Sequence, residues 1–318
     1  MALALLLDPL FKDHRTGQGH PEQPARYEAV THALESTHLL ETAVRVPPRA
    51  ASDEELALVH TASYIRTVRS DIAALAGRPD AVRELSTGDV AISARSLDVA
   101  LQAAGGVMNA VDTLFQTGTR RAFCAVRPPG HHATPDRGMG FCLFNNVALA
   151  ARYAQRRHGV DRVLIIDWDV HHGNGIQDTF YADGSVMFFS THQHPWYPGT
   201  GMTGETGEGK GKGRILNSPL PAGSGGEEIL AAFRQRLLPA ASAFRPSLVI
   251  VSAGFDSRMG DPLGRFRLTD GDFTALTGLA LEIAQDHAQG RLLSVLEGGY
   301  SLEGLPAGVV AHVRALRS

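Results

Sequence analysis

The chain has 318 residues, 43% hydrophobic and 20% charged, with 30 basic against 33 acidic side chains and a formal net charge of −3. That balance suits a folded globular protein with room for a buried sheet, and it excludes disorder and any global positive field able to hold a phosphate backbone, so nucleic acid is not expected as a partner. Two cysteines, Cys124 and Cys142, are too few for a disulfide framework and lack metal-type spacing, which points to a reducing cytoplasm.

At this length an α/β chain is expected to form one large domain over 1–318. The N-terminal run Ala2 to Leu7 is too short for a bilayer span and lacks a basic n-region and cleavage site, so it reads as a first strand ending at Asp8. No other apolar run reaches membrane length and neither end carries a lipidation signal, so no membrane attachment is expected. A helix follows over SLDVALQAAGGVMNAVDTLFQTG, stopped by Gly118, then a strand in RRAFCAV in the region of 121–127. LFNNVALAARYAQRRHG reads as a helix closed by basic residues and Gly159, and it leads into strands RVLIID (162–167) and SVMFFST (185–191). The glycine-rich stretch Gly199 to Gly213 lacks the GKS or GKT of a phosphate loop and is expected to be a flexible surface loop. A helix spans about 226–244, strand SLVIVSA covers 247–253, a helix capped by Thr or Asp runs to Gly290, and strand RLLSVLE covers 291–297. Strands that are apolar at nearly every position, alternating with helices, predict a parallel sheet covered on both faces.

In such sheets ligands bind beyond the carboxyl ends of the strands, and four strands deliver polar clusters there: RPPGHH, DWDVHHGNG, GFDSRMGDP and EGGY. Asp169 and His171 are two residues apart, so in extended backbone their side chains share a face and can chelate one ion, with Asp256 supplying a third ligand from another strand. Three protein ligands with an open position is the pattern of a catalytic zinc rather than a closed structural site. Asp167, deeper on the same face, can orient an imidazole. His131 and His132, behind the rigid Pro128-Pro129-Gly130, suit a site that takes a proton from water and returns one to a leaving amine. Tyr300, after Gly298 and Gly299, can aim a phenol donor at a developing oxyanion.

Nearly the whole chain resembles the zinc-dependent histone deacetylase and acetylpolyamine amidohydrolase superfamily, within it the class II branch. The resemblance is carried by HPEQPARYEAV (20–30), RPPGHH, GFCLFNN (140–146), DWDVHHGNG, YPGTG (197–201), SAGFDSRMGDPLG (252–264) and LEGGYS. It implies an α/β, arginase-like fold with an eight-stranded parallel sheet and helices on both faces. It also implies zinc on Asp169, His171 and Asp256, Tyr300 as oxyanion donor, His131 oriented by Asp167, and His132 paired with Asn174, the class II form. Phe141 and Tyr197 match the aromatic walls of an acyl-lysine tunnel, the second wall usually being Phe. Gly140 matches a carbonyl beside the tunnel, Asp89 the rim acid, Arg26 an internal cavity and Leu263 the gatekeeper position. Potassium is implied at backbone oxygens of Asp167, Asp169, His171 and Thr191 with the Ser190 hydroxyl, and a second monovalent ion at Phe180, Asp183 and Val186.

The expected reaction is hydrolysis of acetyl-lysine in a protein or peptide. A small acetylated amine is the alternative, because polyamine specialists tend to carry an acidic gatekeeper or a long insertion near the aromatic wall, and this chain has Leu263 and the short HQHPWYPGTG. A catalytically silent acyl-lysine binder would have lost a ligand or the tyrosine, and both are kept. An arginase would need further Asp and His ligands where this chain has the HH pair. Oligomeric state is left open by the sequence.

Overall fold

A computed structural model describes residues 2–318. Its strands are β1 (Leu3–Leu6), β2 (Val44–Arg45), β3 (Val82–Glu84), β4 (Ala91–Ser93), β5 (Arg121–Cys124), β6 (Val163–Asp167), β7 (Val186–Gln193), β8 (Ile215–Leu220), β9 (Leu248–Ala253) and β10 (Leu292–Leu296). Eight of them form one sheet in the order β2-β1-β5-β10-β9-β6-β7-β8, with every pair parallel, while β3 and β4 make a separate antiparallel hairpin. The helices are α1 (Pro24–Ser36), α2 (Asp53–Leu56), α3 (Ala62–Ala73), α4 (Ser96–Gln116), α5 (Asn146–His158), α6 (Asn174–Phe180), α7 (Gly226–Ala232), α8 (Leu238–Phe244), α9 (Asp270–His287) and α10 (Gly304–Arg317).

Alternation along each strand divides the core in two. In β6, Val163 and Ile165 pack with Val147, Ala151, Ile176 and Phe180 of α5 and α6, whereas Leu164 and Ile166 pack with Phe233, Leu237, Leu276 and Ile283 on the opposite face. Both faces are buried, so the strand is apolar from Val163 to Ile166 before it ends on Asp167, and each fully buried Val, Leu or Ile contributes about 1.5–3 kcal/mol. A third cluster joins α3, the β3-β4 hairpin and the outer side of α4. Among the described residues no helix is long and apolar enough to cross a membrane.

Local chemistry sets the helix ends. Asn145 accepts from the Ala148 N–H to open α5, which closes at Gly159 in the left-handed region (φ 63°), and Thr269 with Asp272 forms a reciprocal capping box on α9. The single helix expected over 226–244 is α7 and α8 joined by a π turn at Phe233–Leu237. Pro239 explains the widening, because it has no N–H to give the preceding turn. The first strand is also shorter than Ala2 to Leu7. Edge strands β2 and β8 escape sequence reasoning because one is two residues long and the other carries Asn217, Ser218 and Pro219.

The glycine-rich stretch 199–213 is not a free loop. Glu205 accepts from the N–H groups of Gly201 and Met202 and from Gln177 Nε2, and Gly201 O lies 2.9 Å from His192 Nε2. Glycine composition suggests flexibility, but the contacts of half-buried Glu205 and a 3₁₀ turn at Gly209–Gly211 tie the segment down.

A buried ionic cluster ties the N-terminal segment to the strand ends. Glu22 accepts from Arg127 Nε and Nη2 and from Arg26 Nη1 (2.7 Å for Arg127 Nη2, 3.0 Å for Arg26), and all three side chains are fully buried. Burial alone pushes the Glu22 carboxyl up, yet the charge and hydrogen bonds of Arg127, with help from Arg26, hold it at about 2. Its folded pKa therefore lies below that of the unfolded chain, so its stabilising contribution is full above the ordinary carboxylate range and is lost as pH falls toward about 2. Glu22→Gln leaves two buried guanidiniums without a counter-charge and is expected to cost about 3 kcal/mol at neutral pH. Urea unfolding should show the difference from wild type narrowing as pH drops from 5 to 3, and a gap independent of pH would refute the assignment.

Candidate metal centre

The segment after β6 carries most of the donors. The chain leaves the strand at residue 168 and bends at 169–171, so Asp169 and His171 do not converge by the extended alternation expected from their spacing. Side-chain turns bring them together instead: the Asp169 N–H donates to Asp167 Oδ1 (3.0 Å) and the His171 N–H to Asp169 Oδ1 (2.9 Å). Asp256, just past β9, is registered by accepting from the Val170 N–H at 2.8 Å. His171 Nδ1 then lies 3.0 Å from Asp169 Oδ1 and 3.2 Å from Asp256 Oδ2, and the ligand atoms of the three residues all lie within 4.8 Å of one another. A Cβ at Gly298 would strike the carboxylates of both Asp169 and Asp256, and one at Gly254 would strike Asp169, so only glycine lets the backbone approach here.

The donor set fits a divalent cation. Asp167, Asp169, Asp256 and Glu297 are all fully buried within one cluster. Burial pushes His131 and His171 down, yet the surrounding aspartates raise each to about 10, while burial and then the Asp169 charge push Asp256 up to about 7. Asp169 itself is held below the ordinary range despite burial, chiefly by His131 and His171. Carboxylates that draw protons onto neighbouring imidazoles are short of positive charge, and one imidazole with two carboxylates is a zinc-type set with room for further ligands.

The histidine pair stands beside this centre, with ring centroids 4.0 Å apart. His131 Nδ1 lies 3.0 Å from Asp167 Oδ2, and His132 Nδ1 lies 2.8 Å from Asn174 Oδ1. Asn174 Nδ2 donates to His132 O and Met139 Sδ, so its oxygen faces the ring and His132 Nδ1 must carry the proton. Burial, followed by the His131 and His171 charges, holds His132 well below its ordinary value. Glu297, given no role from sequence, accepts from the N–H groups of Gly130 (2.6 Å) and His131 (3.1 Å) and fixes the loop that carries the pair.

Of these groups His132 and His171 reach a pocket of about 270 Å³, whose lining is completed by Asp89, Gly140, Phe141, Trp196, Tyr197, Pro262, Leu263 and Tyr300. Phe141 has φ of 67°, a left-handed conformation that costs a non-glycine residue roughly 1–2 kcal/mol. Its ring meets Tyr300 edge-on at 5.9 Å. Gly299 (φ 123°) makes the turn before Tyr300, whose N–H donates to Asp261 Oδ2 at 2.7 Å, and the Arg26 guanidinium lies 4.9 Å from the Tyr300 ring centroid. Burial keeps the Tyr300 hydroxyl well above its ordinary pKa, hence neutral and able to donate.

Most residues named from sequence line this pocket or its metal triad, and Ser190 stands in register with Asp167 on the neighbouring strand. Arg26 is not in the pocket wall. It sits behind Tyr300, donating to Gly299 O and Glu297 O. Ser190 Oγ lies 2.9 Å from His192 Nδ1, and the Thr191 hydroxyl is buried without a partner. Asp183 is paired with Arg152 and accepts from Ser185, next to Phe180 and near the start of β7 at Val186. Asp261, Glu297, Trp196 and Pro262 were missed as functional residues. Asp261 and Glu297 stood inside quoted motifs, but only the fold shows that they hold Tyr300 and the histidine loop.

The fold and the centre define a class: a parallel α/β protein whose strand-end loops gather a histidine pair around a candidate metal triad. The histone deacetylase domain matches residues 20–316, and the chain belongs to the histone deacetylase family. That family is zinc-dependent. The chain is 40% identical to histone deacetylase 10, chloroplastic, of Oryza sativa subsp. japonica over 94% of this chain and 70% of that protein. It is 39% identical to polyamine deacetylase HDAC10 of Homo sapiens over 93% of this chain and 44% of that longer protein. The crystal structure of the HDA15 HD domain superposes with a TM-score of 0.92 at 35% identity, covering 99% of this chain and 89% of that one.

Proposed function

We propose that the chain is a class II-type deacetylase that hydrolyses the amide of Nε-acetyl-lysine in proteins or peptides, using zinc on Asp169, His171 and Asp256. The observation that carries this is that His171, His132 and Tyr300 line one pocket walled by Phe141 and Tyr197, with Asp169 and Asp256 gathered on His171 and the His131 ring against that of His132. A bound zinc ion supplies Lewis acidity to a water and to the substrate carbonyl. The chain's own groups do the rest. His132 lines the pocket as a neutral imidazole whose Nδ1–H is committed to Asn174, so its Nε2 is free to accept the proton of the attacking water and to pass it to the leaving amine. His131, held by Asp167, sits behind it and biases that proton's position by its charge. The Tyr300 hydroxyl donates to the oxyanion. Phe141 and Tyr197 exclude water from an alkyl chain.

Potassium at the Ser190 hydroxyl with backbone oxygens of Asp167, Asp169, His171 and Thr191 is part of the same reading, supported by the β6–β7 register that sets Ser190 beside Asp167. Support for the second ion, at Phe180, Asp183 and Val186, rests on backbone oxygens, since the Asp183 carboxylate is taken by Arg152 and Ser185. The buried free thiols of Cys124 and Cys142 suit a reducing cytoplasm.

A second reading, an acetylpolyamine hydrolase, is favoured by the human polyamine-deacetylase relative and by the exposed Asp89 carboxylate at the mouth. Leu263 places no charge there, which favours the acyl-lysine reading. An acetyl-lysine peptide is expected to show a higher kcat/KM than acetylspermidine with the zinc-loaded protein. A large preference for the polyamine would reverse the choice of substrate.

A further inference from the structure

Tyr197 spans the pocket from floor to mouth. Its ring lies edge-on to His132 and His171, with centroids 5.1 and 6.1 Å away, and its hydroxyl donates to Asp89 Oδ1 at 3.3 Å. The same oxygen accepts from the Gly140 N–H at 2.9 Å, and the Asp89 carbonyl accepts from the Phe141 N–H at 3.4 Å. One carboxylate oxygen is thereby tied to both walls, and no hydrogen bond among the described residues engages Oδ2.

Two donors on Oδ1 withdraw negative charge from the carboxylate and stop it rotating. A neutral amide N–H needs one oriented acceptor and loses little by this. An ammonium on a flexible stem is a compact, strongly hydrated point charge that gains from net charge and from a carboxylate free to turn toward it. We propose that the Tyr197–Asp89 hydrogen bond is a selectivity bar across the pocket mouth, presenting an oriented acceptor to an amide N–H and disfavouring the free ammonium of an acylated polyamine. This rests on the deacetylase reading above and adds a specificity-determining residue to it.

The test compares an acetyl-lysine peptide with acetylspermidine on the zinc-loaded wild type, Tyr197→Phe, Asp89→Asn and the double variant. Tyr197→Phe is expected to raise the polyamine-to-peptide ratio of kcat/KM about three- to tenfold, the scale of one exposed hydrogen bond to a charged group, with the change in KM rather than kcat. In the Asp89→Asn background the same substitution is expected to leave the ratio unmoved. A ratio that does not rise, or that rises equally without the Asp89 carboxylate, overturns the bar and leaves Tyr197 as a packing wall for His132. Should the wild type turn over neither compound, the deacetylase reading fails, while calorimetric affinities for the two compounds still decide the bar by the same ratio. Binding of neither overturns both.

Discussion

Asp256→Asn is expected to lower zinc content from about one ion per chain to a small fraction and to remove deacetylation beyond about a thousandfold. Losing a group that merely orients a metal ligand costs roughly 10–100-fold in affinity or activity, and removal of one of three ligands must exceed that. The asparagine keeps an oxygen for the Val170 N–H while deleting a charge from a buried cluster that already holds Asp167, Asp169 and Glu297. The fold should therefore survive, and the metal-free variant should melt no lower than the metal-free wild type. What disappears is the stabilisation that added zinc gives the wild type, which grows with the logarithm of free metal over Kd. Metal analysis with a thermal shift series at increasing zinc checks both halves. Full zinc content with normal turnover would show that the triad is not the metal site.

Tyr300→Phe is expected to lower kcat by two to three orders of magnitude, roughly 3–4 kcal/mol of barrier, with KM little changed. The substitution deletes only the hydroxyl. The contacts that fix the ring survive, since Arg26 faces its plane, Phe141 meets its edge, and the backbone N–H stays on Asp261. Burial keeps the phenol protonated through the whole assay range, so the pH profile of the residual activity should retain the wild-type shape. Steady-state kinetics from pH 6 to 9 decide this, and near-normal turnover would remove Tyr300 from the reaction.

Much of the site was legible in the sequence because strand-end clusters are local. RPPGHH, DWDVHHGNG and EGGY each follow an apolar strand, and a parallel sheet places all such ends along one edge. Elements were legible where composition and periodicity agreed, as in β6, β7, β9 and α9 with its Thr269 cap. They were not legible in β8, where polar residues and a proline interrupt the run, or at the π turn ahead of Pro239.

By itself, then, the sequence determined the fold class, the donor types and the candidate metal triad, since these depend on residue identity and short spacings along the chain. Only the tertiary structure decided how the triad meets, through aspartate turns rather than strand alternation. It alone revealed Glu297 under the histidine loop, Asp261 under Tyr300, and the Arg26 guanidinium over the Tyr300 ring. It also set the Tyr197 hydroxyl on Asp89, 108 positions away in the chain. The reason is physical: a hydrogen bond is directional and falls off within about 3.5 Å, so which distant partners satisfy a buried polar group is settled by packing and not by order along the chain.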